Sequence, residues 1–203
     1  MNILEAMADP NVFAPHFKGL SWKPWKAALA AIFALPMNDE ALAIYRACTG
    51  RSEAPVAPFT EAALCVGRRG GKSRVLALIA VYLASFRDYR PHLAPGECAT
   101  IVIMAANRAQ ARSIFRFVIG LLKAVPLIQP MIIEDNTEQI TLSNRVLRLR
   151  RPAFGHRGVI HSRLFWSMKS RFGAATRAVQ IPTSRLCVLC GLAWQAYLAA
   201  CFC

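Results

Sequence analysis

Acidic residues are absent from residues 139–203, because Glu138 is the last Asp or Glu of the sequence. Residues 147–203 hold nine lysines and arginines, so most of the formal net charge of +14 belongs to this tail. A stretch without carboxylates cannot supply the acidic cluster of a two-metal nuclease. Its positive charge favours an anionic partner, and nucleic acid ahead of an acidic protein or a membrane surface.

A secretory signal is also missing, because the N-terminus MNILEAMADPNVF has neither a basic segment nor a long apolar core. We therefore expect a reducing, intracellular setting for the seven cysteines. Cys187 and Cys190 have the C-x-x-C spacing of a zinc site, which Cys201 and Cys203 could complete. A C-x-C pair is poor ligand geometry, so we favour an interpretation without a metal.

The uncharged segment of residues 186–203, LCVLCGLAWQAYLAACFC, just reaches the length of a membrane helix. A tail anchor would then be oriented by its basic flank, which includes Arg185. We prefer to interpret the segment as a stretch translated from a reading frame that was not selected for function, so that its apolar residues occur by chance. We therefore expect no membrane association.

The sequence does have the composition of a folded domain, since 55% of its 203 residues are hydrophobic and no internal repeat is present. Residues 1–57 predict a helical lead-in. Its first helix begins near Pro24, and its second is capped by Asn38 or Asp39 and ends at Gly50. Trp22 and Trp25 lie one turn apart, and we favour core packing for them over an adenine-stacking platform.

Residues 58–146 alternate between strand and helix signals. TEAALCV and ATIVIMAA predict buried strands, and RVLALIAVYLASF and the segment from Asn107 to about Ala124 predict helices. PMIIEDNTEQITLSN predicts a hairpin around an Asp-Asn turn. This order predicts an α/β fold. Arg108, Arg112 and Arg116 recur every four residues and could follow DNA phosphates, although a solvated helix face is the interpretation we favour.

The chemistry concentrates in GRRGGKS, between the first strand and the helix that follows. Its small residues allow backbone N–H groups to face phosphate oxygens, and the helix presents its positive end to the same anion. Lys72 would reach the β and γ phosphates of ATP, and the Ser73 hydroxyl would bind Mg²⁺. The site residues are therefore Gly67, Arg68, Arg69, Gly70, Gly71, Lys72 and Ser73. The full P-loop pattern would also have a glycine where this chain has Val66.

The loop GRRGGKS, the preceding WKPWKAAL and the following TIVIMAANRAQARSIF together resemble the ATPase part of tailed-phage terminase large subunits, over about residues 20–146. In that family the deviant P-loop carries an arginine among its first residues, which maps onto Arg68 or Arg69. The resemblance implies a P-loop NTPase-type sheet with helices on both faces, after a short helical N-terminal region. It also implies an ATP-driven DNA-packaging motor with a C-terminal nuclease.

Further properties follow from the resemblance alone. ATP and Mg²⁺ are the implied cofactors, and double-stranded DNA, the terminase small subunit and the portal protein are the implied partners. The full-length family forms homo-oligomers and works in the cytoplasm of the bacterial host cell. A terminase ATPase also needs a Walker B strand that ends in Asp-Glu, and no acid follows Glu138 here.

The neighbouring reading frame offers a source for the missing acids. When the third base of each codon is read with the first two of the next, Phe165–Trp166 must give Leu and Met168–Lys169 must give Glu. With permitted codons, positions 164–177 can yield VLVDEVAFWRSDES, which has the Walker B pattern. We therefore interpret residues 147–203 as an irregular, basic, Cys-rich tail that follows a frameshift between about Leu142 and Pro152, in a truncated chain.

Two other functions stay open. The chain could be a non-enzymatic basic protein that binds nucleic acid or membrane through its tail, or another P-loop enzyme such as a helicase. Without the catalytic acids, the terminase interpretation predicts that ATP is bound but scarcely hydrolysed.

Overall fold

The structure, a computed structural model, describes most of the first 149 residues and two short strands beyond them. The described residues are 1–59, 62–67, 69–89, 91, 93, 95, 99–104, 108–136, 139–144, 146–149, 163–168 and 187–190. Helices and strands both occur among these residues, which confirms the prediction of a chain with mixed α and β structure.

The α-helices of the described residues are α1 (Ile3–Ala8), α2 (Lys23–Ile32), α3 (Asp39–Thr49), α4 (Lys72–Phe86) and α5 (Arg108–Ala124). The strands are β1 (Ala63–Val66), β2 (Ala99–Met104), β3 (Ile132–Asp135), β4 (Gln139–Leu142), β5 (Val146–Leu149), β6 (Arg163–Met168) and β7 (Cys187–Cys190). Short 3₁₀ turns occupy Ala14–His16, Leu20–Trp22 and Gln129–Met131.

The chain divides into two compact units, and the division falls in the first turn of α4. The first unit comprises residues 3–15 and 73–178, and the second comprises residues 16–72 and 179–203. The boundaries predicted from the sequence, at residues 57 and 146, stay predictions about domain organisation.

The first unit is built on two helices of different character. α4 is apolar on nearly every side and is buried along most of its length, whereas α5 buries one stripe and exposes Arg112 and Arg116. The buried stripe of α5 consists of Ala111, Ile114, Phe115, Val118, Leu121 and Leu122. Phe13 joins this core with its ring edge-on to Phe86, at 6.0 Å between centroids.

Five strands of the first unit form one mixed sheet in the order β3-β4-β5-β2-β6. β2 is parallel to β5 and antiparallel to β6, and its Ile101 and Ile103 side chains are buried. β3 and β4 confirm the predicted hairpin, with a register shift between Ile132 and Glu134, but Asp135 belongs to β3 and not to the turn. A hydrogen bond from the Asn136 N–H to the Gln139 carbonyl, at 2.8 Å, closes the turn.

The second unit pairs α2 with α3 and holds a separate two-stranded sheet. The Asn38 side chain accepts a hydrogen bond from the Ala41 N–H at 2.9 Å, and Gly50 ends α3 in the left-handed conformation, so both predicted boundaries are confirmed. β1 is parallel to β7, in the register Ala63 opposite Cys187.

Several structural findings were not predicted from the sequence. The helix α1 and the strands β6 and β7 had no separate prediction, and β7 lies within the segment considered as a membrane helix. The described strands form two sheets, with β1 in one and β2 in the other. Across the described residues no helix is both long and apolar enough to cross a bilayer.

Candidate nucleotide-binding site

The predicted order of strand, glycine loop and helix is present at residues 63–86. β1 ends at Val66, and α4 begins at Lys72, which leaves Gly67 to Gly71 as the connecting loop. A parallel β-strand that leads through a short loop into a helix is the local context in which phosphate-binding loops occur.

The loop is closed by a tight backbone turn. The Gly70 N–H donates to the Gly67 carbonyl at 3.3 Å, and Arg69 within this turn has a φ of 62°. Gly71 follows with a φ of 79°, so the chain enters α4 from the left-handed region. Arg69 and Gly71, on either side of Gly70, thus both have left-handed φ values, and turns of this kind are ones in which successive backbone N–H groups can bind an anion.

A side chain would clash at Gly70 and would be crowded at Gly71. A Cβ at Gly70 would lie 2.5 Å from Cγ1 of Val66, and one at Gly71 would lie 3.3 Å from two ring carbons of Trp22. The branched side chain of Val66 therefore fills the space beside Gly70. This packing role was not suggested by the P-loop pattern, which has a glycine at the position of Val66.

Trp22 and Trp25 pack directly against the loop. The Trp25 Nε1–H donates to the Gly70 carbonyl at 2.8 Å, and this nitrogen lies 3.6 Å from the Cβ position of Gly71. Both indoles are at least 90% buried, and Trp22 is held edge-on by Phe17 at 4.9 Å between ring centroids. The core-packing interpretation of this pair agrees with that burial, and the glycine loop is part of what the pair packs against.

Lys72 and Ser73 occupy the first turn of α4. Both are partly exposed, and this first turn contains no acidic residue. The free N–H groups and the positive end of the helix dipole favour an anion at such a position. A triphosphate fits this residue set, because the start of α4 supplies backbone N–H donors, Lys72 a cation and Ser73 a hydroxyl.

The two arginines of the loop differ in what the structure describes. Arg69 is exposed at the tip of the turn, where a guanidinium can reach phosphate oxygens. Arg68 lies outside the described residues. Their assignment to ATP binding stays a prediction, as it does for the five other site residues.

Carboxylates for Mg²⁺ or for activating water are not gathered into a site within the described ranges. No group of three or more His, Cys, Asp or Glu side chains there could hold a metal ion. Of the neighbouring acids on β3, Asp135 forms an ion pair with Lys123 at 2.6 Å, and Glu134 accepts from the Asn136 side chain at 2.7 Å.

The remaining candidates from the sequence have simpler surroundings. Burial raises the pKa of the thiol of Cys48, an isolated cysteine to which no role was assigned from the sequence. Arg112 and Arg116 are exposed on α5. Cys201 and Cys203, and the bulk of the basic tail, lie outside the described residues.

No protein family, no curated protein and no solved structure matches this chain in comparisons with each of the three.

Proposed function

We propose that this chain is a nucleotide-binding fragment of a phage DNA-packaging terminase large subunit. The observation that carries the proposal is the loop of residues 67–73, in which a tight glycine turn delivers Lys72 and Ser73 to the start of α4. The resemblance of the surrounding sequence to terminase ATPases supports the choice among P-loop proteins. The proposed fold at full length is a P-loop NTPase-type sheet with helices on both faces.

ATP would be held by the chain's own backbone and two side chains. N–H groups of the loop and of the first turn of α4 would donate to phosphate oxygens. The Lys72 ammonium would neutralise the β and γ phosphates, and the Ser73 hydroxyl would bind Mg²⁺ carried by ATP. The bound Mg²⁺ would offset phosphate charge. Arg69, exposed in the turn, would add further positive charge, and we propose the same role for Arg68.

Hydrolysis needs two further groups, a carboxylate in the Mg²⁺ shell and a second one that activates water. A Walker B segment would follow β2 in the chain, and residues 139–203 contain no carboxylate at all. We therefore propose that this chain binds ATP and releases it unhydrolysed.

The wider setting is part of the same proposal. Double-stranded DNA would be the polymer moved by the intact motor, with the terminase small subunit and the portal protein as its protein partners, in the cytoplasm of the bacterial host. The exposed Arg112 and Arg116 lie one helical turn apart on α5, a spacing that allows both to face phosphates.

The second candidate function rests on the charge of the tail. Nine basic residues without a single acid, in residues 147–203, suit a non-enzymatic protein that binds nucleic acid or an anionic membrane. This function would require neither Lys72 nor the glycine loop.

Equilibrium titration with Mg²⁺·ATP distinguishes the two candidates. We expect Lys72→Ala to weaken ATP binding by about 10- to 100-fold, because it removes a charged hydrogen bond. Lys18→Ala is the matched control, since Lys18 is an exposed lysine outside the loop, and it should bind as the wild type does. Equal ATP affinity in wild type and Lys72→Ala, together with tail-dependent binding to DNA or anionic vesicles, would favour the second candidate.

A further inference from the structure

Trp25 contacts the glycine loop through a hydrogen bond, which fixes the direction of the Gly70 carbonyl. The indole N–H of Trp25 donates to the carbonyl of Gly70, at 2.8 Å, and it does so from a side chain that is only 5% exposed. A buried indole N–H needs such an acceptor, because an unpaired polar group loses its hydration without compensation.

The hydrogen bond also orients the next amide. No cis peptide bond is present among the described residues, so the peptide that joins Gly70 to Gly71 is trans. In a trans peptide the C=O and the N–H point in opposite directions. When Trp25 holds the Gly70 carbonyl, the Gly71 N–H must therefore point away from the indole.

Both tryptophans lie on the same side of the loop. A Cβ at Gly71 would approach ring carbons of Trp22 at 3.3 Å and the ring nitrogen of Trp25 at 3.6 Å. The aromatic side is thus closed by packing, and the Gly71 N–H points towards the other side. An anion that accepts from this N–H must approach from that side.

Two consecutive glycines would otherwise leave this peptide free to rotate. Glycine has access to more backbone conformations than any other residue, so an unsupported Gly-Gly pair has the highest entropy to lose when a ligand fixes it. A hydrogen bond from a rigid, buried side chain removes that freedom before the ligand arrives, and this preorganisation raises affinity.

From this geometry we propose that Trp25 is a positioning residue, which holds the Gly70–Gly71 peptide so that the Gly71 N–H is presented to the phosphates of a bound nucleotide. The proposal rests on the proposed function of the loop and deepens it. It gives the lead-in helix a role in phosphate recognition that is distinct from stacking on adenine.

The test compares two conservative substitutions. Trp25→Phe keeps an aromatic ring and removes the donor. Trp22→Phe is the matched control, because ring carbons of Trp22 face Gly71. We expect Trp25→Phe to weaken binding of both Mg²⁺·ATP and inorganic tripolyphosphate by about 2- to 10-fold, because this is the effect of losing one hydrogen bond. Trp22→Phe should change both affinities less.

Adenosine, which has no phosphates, distinguishes the proposed positioning role of Trp25 from a purely structural role. Under the proposal, adenosine binds equally to wild type and Trp25→Phe, whereas a general loosening of the unit would weaken all three ligands together. Unchanged tripolyphosphate affinity in Trp25→Phe would overturn the proposal. If Lys72→Ala leaves ATP affinity unchanged, the proposed function fails first, whatever Trp25 does.

A measurement on the unmodified chain covers the case in which Trp25→Phe does not fold. The indole N–H signal of Trp25 in a nitrogen–proton NMR spectrum should shift on saturation with tripolyphosphate and stay in place with adenosine. If the position of this signal does not change at saturation with tripolyphosphate, the proposal is overturned.

Discussion

Gly71 is the residue at which backbone conformation and packing constrain the loop together. Its φ of 79° lies in the left-handed region, and a side chain there would meet the Trp22 ring at 3.3 Å. A residue with a Cβ pays about 1–2 kcal/mol for this conformation. The sequence GRRGGKS predicted a glycine turn, but only the structure shows that Trp22 would crowd a side chain at Gly71.

Gly71→Ala is therefore expected to lower the free energy of unfolding by about 1–2 kcal/mol and to weaken ATP binding. The control is Gly120→Ala on α5, where a Cβ meets nothing within 4 Å. Replacing that exposed helical glycine should raise stability by about 0.5–1 kcal/mol. Chemical denaturation of both variants measures the two effects, and equal changes would contradict the account of the loop.

Elements of the fold were predictable where their signals are local. Asn38 and Gly50 mark the ends of α3 through contacts within one turn, and the hairpin of β3 and β4 is encoded by alternation around its turn. The pairing of β1 with β7 joins segments far apart in the chain, and Trp25 bonds to a residue 45 positions away. Local patterns carry no information about such partners.

The N-cap of α3 gives a prediction at the scale of one helix. Asn38→Ala removes the acceptor of the Ala41 N–H and should cost about 1 kcal/mol of stability. Asn38→Asp keeps a side-chain acceptor and should stay close to wild type. Thermal unfolding monitored by circular dichroism compares the two, and a loss of stability shared by both would show that the side-chain oxygen is not what matters.

The two faces of α5 give a second prediction. Leu122 is completely buried, so Leu122→Ala should lower the free energy of unfolding by about 2–5 kcal/mol. Phe117 on the same helix is 41% exposed, and Phe117→Ala should cost far less. Denaturant titration of the two variants tests the assignment of the buried stripe, which would be wrong if Phe117→Ala were the more damaging change.

For the whole molecule, we propose that the reading frame after about residue 146 separates ATP binding from ATP hydrolysis. The sequence and the glycine loop are consistent with an ATPase up to about residue 146, after which no carboxylate is available. The described strands of the tail, β6 and β7, pair with β2 and β1 and so cover strand edges that would otherwise be open. Such pairing needs only backbone groups and does not require a selected sequence.

Restoring the neighbouring frame is expected to create ATPase activity. Insertion of one base between the codons for Leu142 and Pro152 brings the gene into the neighbouring frame. The altered gene should encode the Asp-Glu pair across codons 167–169. Its product should release phosphate from ATP, and replacing that Glu codon by Gln should abolish release. Stop codons in the neighbouring frame of the coding DNA, or a frame without Asp-Glu, would contradict the frameshift.

The most direct measurement of the central claim is equilibrium dialysis of the chain against γ-labelled ATP with Mg²⁺, followed by analysis of the label. We expect the chain to retain ATP with its γ-phosphate intact, and Lys72→Ala to retain far less than Lys18→Ala. No retained nucleotide, or equal retention by the two variants, would contradict nucleotide binding by the loop. Label released as free phosphate would contradict the loss of hydrolysis.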